Sequence, residues 1–451
     1  MIHLINVRFP FMSDSLFYNI SIQNGKIKNI KAQQSYDFDE TATSIESKLF
    51  INEINSLNRK GHKVDVCGRV VLPAFVDSHM HLDKAFSLAF APNQSGTLIE
   101  AIQSYHSAMP FLSFENMKQR MFRTVLQALS FGTTTIRTHI DFDTKADKEV
   151  VFRGFQAALE VKEKLRNFID IQIFPMCPFY ELENSDLEML DEAMLMGADG
   201  IGGAPHLASE PHKNIENIFK LAMKHNKVID LHTDESDNPN VKTIKTIIEQ
   251  LEKNDFNNRV VVDHLCSLSA MEDREAHEII NNLVKSEISV ITLPASNMYL
   301  QGRSDRGLVR RGITRIRELY NSGVPIALAS DNINDPFHPF GRCDLVLMGL
   351  LTSYAAHFGS PQDLKKLLKM MTSIPASIVG LDSYGLEEGK AANLVIIDAY
   401  SIDEIFSKIP DRRWLYKNDH WTVRTDGNPI FQQKYLNEIW DENANSINRT
   451  R

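Results

Sequence analysis

From Val70 onward, short apolar runs that end in polar residues alternate with longer amphipathic segments. This alternation is typical of βα units around a buried parallel sheet. The runs are VVLPAFVDSHMH from Val70, TTTIRTHID (133–141), IDIQIFPM (169–176), GIGGAPH (200–206), VIDLHTDE (228–235), VVVDHL (260–265), SVITLP (289–294) and PIALASDN (325–332). Because there are eight near-regular units and the β pattern then returns, the sequence favours a closed (β/α)8 TIM-type barrel over an open doubly wound sheet.

Strand patterns also occur at both ends of the chain. MIHLINV and LFYNISIQNGKIKNI precede the barrel, and the Asn24-Gly25 step in the second run suits a tight hairpin turn. AANLVIIDA and HWTVRTDGNPIF follow the last helical pattern. We therefore expect an α/β protein in which both termini build one small β-sandwich domain. The predicted domains are residues 1–69 and 385–451 for the small β domain and 70–384 for the barrel.

The polar stretch over residues 33–63 has few strand signals, and we interpret it as an insertion or long loop. The chain of 451 residues is 43% hydrophobic and carries a net charge of -9, with its 49 basic residues scattered rather than clustered. This distribution argues against a nucleic-acid partner and favours a small molecule. The sequence leaves a homo-oligomer open.

The four cysteines stand far apart without a C-x-x-C pair, which argues against a disulfide framework or a thiolate zinc site. The N-terminus lacks the pattern of a secretory leader, and no run of eighteen apolar residues occurs. We expect a cytoplasmic protein without a membrane partner.

Two histidines close the first predicted barrel strand as His79-Met80-His81. Because alternate side chains of a strand share a face, both imidazoles point to the same side. Neutral imidazole is the commonest ligand for zinc and ferrous iron. An H-x-H pair alone is weak support for a metal site, since surface or core histidines give the same pattern.

Later strands strengthen the prediction. His232 and Glu235 end the fifth run, His264 ends the sixth and Asp331 ends the eighth. Barrel enzymes place their chemistry at these C-terminal strand ends, and charged groups there cost free energy unless they are paired or bound to an ion. The strand ends therefore predict a metal site with acid and base groups beside it.

Several long motifs resemble bacterial cytosine deaminases, a branch of the amidohydrolase superfamily. They are VLPAFVDSHMHLDKAF, RTHID, GADGIGGAPH, IDLHTDESD, the segment from NMYLQGRSDRG to NINDPFHPFG, and GKAANLVIID, and they extend from about Val70 to Asp398. The resemblance implies one catalytic iron or zinc ion. It assigns the ion to His79, His81, His232 and Asp331, the proton shuttle to Glu235, and a place beside the metal-bound water to His264.

The residue types agree with these roles. A divalent metal lowers the pKa of bound water toward neutrality and so supplies hydroxide. Asp331 can bind the ion and accept a proton, and Glu235 can protonate the attacked ring nitrogen and then the leaving amine. No lysine ends the third or fourth strand to bridge a second metal. We expect one divalent ion per chain, Zn²⁺ or Fe²⁺.

Three departures from the cytosine deaminase pattern concern the substrate. Met176 stands where the resemblance leads one to expect a carbonyl-reading glutamine, Asn332 replaces the second of two aspartates, and Phe337 replaces a tryptophan. A thioether offers no donor, so cytosine itself is disfavoured. Lys84 and His206 are interpreted as further substrate contacts, with a solvated loop lysine and a histidine outside the pocket as the alternatives.

These observations predict a hydrolytic deaminase of cytosine or a related amino-substituted nitrogen heterocycle. One alternative is the removal of an N-alkyl amine from an aminotriazine, as in the isopropylammelide amidohydrolases. Another, from a different class, is a catalytically silent binding or scaffold homologue. The joint presence of the predicted ligands and Glu235 argues against a catalytically silent protein.

Overall fold

The structure is a computed structural model that describes most of the chain. The described residues are 1–13, 15–47, 61–307 and 310–426.

They form two compact units. The larger comprises Ala74–Tyr384, and the smaller combines Met1–Pro73 with the described residues from Gly385 onward. Among the described residues, no helix combines the length and the apolar character that a bilayer crossing requires.

The larger unit is the predicted barrel. Its eight strands pair in parallel in the order of the sequence, and a parallel bridge between Met80 and Asp331 joins the first strand to the segment after the eighth. Most strand residues are buried, which explains their nearly continuous apolar runs. The strands are Phe75–Met80, Thr133–Ile140, Asp170–Cys177, Gly200–Gly203, Val228–Thr233, Val260–His264, Ser289–Thr292 and Ile326–Leu328.

Amphipathic helices follow these strands. Local signals set several of their ends: the Ser113 side chain accepts a hydrogen bond from the Asn116 backbone N–H, and Gly197, at φ 119°, ends a helix in a left-handed conformation. The helices are Leu98–Ala108, Phe114–Ser130, Lys148–Leu165, Asn184–Met196, Pro211–His225, Thr243–Lys253, Asp273–Lys285, Pro294–Leu300, Ile316–Asn321, Leu345–Ala356, Pro361–Met370 and Ser373–Val379.

The run VVLPAFVDSHMH, which is predicted as one strand, forms two separate strands. Val70–Pro73 pairs antiparallel with Leu394–Ile397 in the smaller unit, and the first barrel strand begins at Phe75. Both segments are fully buried, so their burial carries no sign of the change of sheet.

The smaller unit contains two sheets that share one apolar core, which includes Ile20, Leu394 and Trp414. The Asn24-Gly25 hairpin is present, with φ of 52° and 68° at these residues, as a type I′ turn requires. The strands of the first sheet are, in spatial order, Lys26–Gln33, Phe17–Gln23, Ile2–Val7, His62–Asp65 and Thr43–Ser44. Those of the second sheet are His420–Arg424, Arg413–Lys417, Leu394–Ile397 and Val70–Pro73. This unit also contains the helix Ile402–Lys408.

Part of the polar stretch over residues 33–63, interpreted above as a loop, contributes strand residues, since Thr43–Ser44 pairs parallel with the strand that begins at His62. Residues 48–60 of this stretch, and the end of the HWTVRTDGNPIF run from residue 427, lie outside the described residues.

Candidate active site and metal centre

A cleft of about 550 Å³ opens at the C-terminal ends of the barrel strands. Ten of the eleven predicted site residues line it, and the eleventh, His79, is fully buried beside them. The lining residues predicted from the sequence are His81, Lys84, Met176, His206, His232, Glu235, His264, Asp331, Asn332 and Phe337.

The four predicted metal ligands converge. Nε2 of His232 lies 3.0 Å from Nε2 of His81, and Oδ1 of Asp331 lies 3.4 Å from Nε2 of both His79 and His81. Ligand atoms of the three histidines lie within 4.8 Å of one another. The strand ends thus bring these side chains to one point, as the sequence predicts.

The residues fit a divalent ion. Burial and neighbouring imidazoles lower the pKa of His232 well below its usual value, and burial lowers that of His81 to about 4, so both rings are neutral at pH 7. His79 Nε2 and Asp331 Oδ1 are buried without an aligned hydrogen-bond partner. Unpartnered buried polar atoms cost free energy, and a shared cation would offset that cost. Three imidazoles and one carboxylate are ligands that Zn²⁺ and Fe²⁺ accept.

An acid group lies beside this cluster. Oε1 of Glu235 is 3.6 Å from Nδ1 of His264, and the Asn297 amide nitrogen lies 2.9 Å from that same Nδ1. Burial and the negative charge of Asp331 raise the pKa of Glu235 to about 8. The raised pKa favours the protonated form, which is the form that a general acid needs.

Backbone strain marks the same strand ends. Asp234, His264 and Asp331 have φ of 52°, 65° and 61°, in the left-handed region that non-glycine residues rarely adopt. Residues held in this region cluster at functional sites, where the surrounding structure maintains them.

Lys84 is a buried residue of the cleft and not a solvated loop lysine. It is 3% exposed, its Nζ donates to Asp141 Oδ1 at 2.5 Å, and it lies 3.1 Å from Nδ1 of His81. Its Nζ also stands 5.6 Å from the ring centroid of Phe337. Because a buried ammonium group is costly without a counter-ion, the Asp141 carboxylate stabilises Lys84 in this position.

The remaining predicted substrate contacts have different surroundings. The side-chain amide nitrogen of Asn332 donates to Asp335 Oδ2 at 2.8 Å. Nδ1 of His206 lies 3.1 Å from the carbonyl oxygen of His232. Met176 is half-buried in the cleft wall, where Phe179 and Leu207 add apolar surface.

Sequence reasoning assigned no role to several residues of the site. Ser296 donates to Asp331 Oδ2 at 2.5 Å, and Asn297 contacts His264; both lie on the helix after strand seven, where no strand-end signal exists. Asp263 lies 3.0 Å from His79. Asp263 directly precedes His264 in the sequence, and this position was a usable signal for a site residue. Asp141, which pairs with Lys84, ends the RTHID run, and that position was a usable signal as well.

The loop after strand seven is anchored to the site. The Gln301 amide donates to the Glu235 carbonyl oxygen at 3.4 Å, and the Gly302 N–H donates to Asp237 at 2.6 Å. Arg310 donates to the carbonyl oxygen of Asp237 and pairs with Asp305. These contacts tie the loop to the segment that carries Glu235.

A (β/α)8 barrel whose strand ends bring histidines and carboxyl groups together in a cluster able to hold a metal ion is typical of metal-dependent barrel hydrolases. The chain belongs to the amidohydrolase family, whose sequence profile matches residues 95–416. It is therefore an enzyme of that family, as its motifs predict.

Individual relatives agree. The chain is 30% identical over 350 residues to a pterin deaminase of Rhizobium rhizogenes, covering 77% of this chain and 79% of that protein. It is 28% identical to an N-isopropylammelide isopropyl amidohydrolase of a Pseudomonas species, and the match covers 75% of this chain and 82% of that protein. The crystal structure of 5-methylcytosine deaminase from Klebsiella pneumoniae with 5-fluorocytosine superposes with a TM-score of 0.84 at 26% identity. The match covers 95% of this chain and 99% of that one.

Proposed function

We propose that the chain is a hydrolytic deaminase of an amino-substituted nitrogen heterocycle, with one divalent ion held by His79, His81, His232 and Asp331. The observation that carries the proposal is the buried carboxyl group of Glu235 beside that ligand cluster, in a cleft at the C-terminal ends of the strands. The reaction replaces a ring C–NH2 group by C=O, with consumption of water and release of ammonia.

The ion, when bound, would activate a water molecule. Glu235 donates its proton to the ring nitrogen next to the attacked carbon, takes up the proton that Asp331 received from the water and passes it to the leaving amine. The hydroxyl proton that is released as C=O forms restores the acid form of Glu235. Asp331 accepts a proton from the water, while the hydroxyl of Ser296 holds its other oxygen, Oδ2. His264, which has an unpartnered Nε2, donates to the oxygen that attacks the ring.

The walls of the cleft suit a flat ring with an apolar edge. Met176 and Phe337 face the ring, Asn332 and His206 offer hydrogen bonds, and Lys84 contacts a substrate oxygen. A pterin deaminase and a 5-methylcytosine deaminase among the similar proteins support a ring that carries a fused ring or a methyl group, because an apolar side chain at position 176 tolerates either.

A screen for released product tests the proposal. Purified protein loaded with Zn²⁺ or Fe²⁺ is incubated with amino-pyrimidines, purines, pterins and aminotriazines, and ammonia is measured against chelator-treated protein. N-isopropyl aminotriazines belong in the screen because the Pseudomonas relative favours alkylamine release as a second candidate. Ammonia from a pterin or pyrimidine supports the deaminase, isopropylamine supports the second candidate, and no product from any class contradicts both.

Met176→Gln is expected to raise the specificity constant for cytosine relative to the native substrate, because glutamine supplies the donor and acceptor that the thioether lacks. A gained pair of hydrogen bonds is worth about 1 to 3 kcal/mol of transition-state binding, or about 5- to 150-fold. The measurement is the ratio of kcat/KM values for the two substrates in both proteins.

Met196→Gln is the control, since Met196 lies on the exposed surface of a barrel helix. It should leave the ratio unchanged. Efficient turnover of cytosine by the wild type, unaffected by Met176→Gln, would show that Met176 does not read the ring edge.

A further inference from the structure

A layer of buried polar residues adjoins the ligand cluster within the barrel. Arg137, His139, Asp230 and Asp263 come from strands two, five and six, and each is at most 1% exposed. They take no part in the proposed reaction. Since burying such groups costs free energy, their presence calls for a physical reason.

The charges in this layer do not cancel among themselves. Arg137 Nη1 donates to Asp230 Oδ2 at 2.6 Å, so the guanidinium is matched by one carboxylate. The second carboxylate, Asp263, has no such cation, and neither of its oxygens has an aligned hydrogen-bond partner. Asp263 is therefore the carboxyl group of the layer that no cation of the layer pairs with.

The imidazole nitrogen closest to Asp263 belongs to a proposed metal ligand. Its Oδ2 lies 3.0 Å from Nδ1 of His79, while His139 Nε2 and His232 Nδ1 are 3.9 Å and 4.0 Å away. The other ring nitrogen of His79 faces Asp331. One carboxylate thus stands at each nitrogen of this ring.

His139 confines the ring of His79 without supplying charge. The two ring centroids are 4.4 Å apart at an interplanar angle of 35°, and burial lowers the pKa of His139 well below its usual value, so it is neutral. Gly202 makes room for it, because a Cβ at that position would lie 2.7 Å from His139 Nδ1. The His79 ring is therefore packed on its face and restrained at its Nδ1 edge.

We propose that Asp263 is a positioning residue for the metal centre: it accepts the Nδ1 proton of His79, which fixes the tautomer and leaves the Nε2 lone pair directed at the ion shared with His81, His232 and Asp331. The inference rests on the proposed metal-dependent function. A carboxylate behind a ligating imidazole fixes its orientation and raises its basicity, and losing such a partner typically weakens metal affinity about 10- to 100-fold.

The test is the Zn²⁺ affinity of the purified full chain, measured by competition with a chromophoric chelator, so that it needs no substrate. Asp263→Asn is expected to weaken Zn²⁺ binding about 10- to 100-fold. The matched control is Asp186→Asn, another buried aspartate, whose carboxylate instead accepts hydrogen bonds from the Glu183 N–H and from Lys145 at a helix start. The control should lower thermal stability and leave Zn²⁺ affinity within about threefold, as fits a residue remote from the ligands.

A second measurement on the wild type does not depend on how the variant folds. With ¹⁵N-labelled histidine in the zinc-loaded protein, the His79 resonance should show a proton on Nδ1 and none on Nε2. A proton on Nε2, or unchanged Zn²⁺ affinity in folded Asp263→Asn, would overturn the positioning role while the proposed function stands. A wild type that binds no Zn²⁺ would instead contradict the proposed metal centre itself.

Discussion

Asp331→Ala is expected to reduce the metal content from about one divalent ion per chain to nearly none and to abolish turnover. Asp331 is the only carboxylate among the four proposed ligands, and its Oδ1 stands at 3.4 Å from two of the three imidazoles. Removing a ligand outright lowers affinity far more than perturbing its support does. The measurement is elemental analysis of protein loaded with Zn²⁺ and freed of excess ion, followed by the ammonia assay.

His106→Ala is the control because His106 lines the same cleft but contacts Asp141 and Asp143 rather than the proposed ligands. It should keep a full equivalent of metal. A full equivalent in Asp331→Ala would show that the ligand set is wrong, and two ions per wild-type chain would contradict a mononuclear centre.

Much of the barrel and of its ligand cluster is predictable for a geometric reason. A strand buried on both faces reads as an apolar run, so the barrel strands stand out in the sequence. The C-terminal ends of the parallel strands meet at one face of the barrel, so polar residues that follow separate runs come together. His79 and Asp331 are about 250 residues apart in the chain, and this rule alone brings them within contact.

Other features depend on contacts that a local pattern does not contain. Val70–Pro73 and Phe75–Met80 are both fully buried, and their pairing partners assign them to different sheets. Lys84 follows the first strand, and its buried charge pairs with Asp141, which directly follows the second strand. Asn297 reaches His264 from a helix. In each case the decisive partner is distant in sequence.

Glu235→Gln is expected to keep the metal and to lower kcat by about two to four orders of magnitude, the usual contribution of a general acid or base. Glutamine has nearly the same shape as glutamic acid, so the contacts near His264 and Asn297 can persist. It cannot release a proton to the ring nitrogen or the leaving amine, so the loss should fall on kcat. Steady-state kinetics on the best substrate of the screen, together with elemental analysis, measure both quantities.

The matched control for this change is Glu210→Gln, an exposed glutamate in the loop after strand four. It should leave both kcat and metal content near the wild-type values, because its charge is solvated and lies outside the cleft. If Glu235→Gln retained metal and near-normal kcat, another group would have to move the proton. If it lost its metal, Glu235 would act in binding the ion, and the assignment of the acid would fail. A lower kcat with the metal retained would support proton transfer by Glu235 over these two alternatives. The carboxyl group would then be needed for the reaction and not for binding the ion.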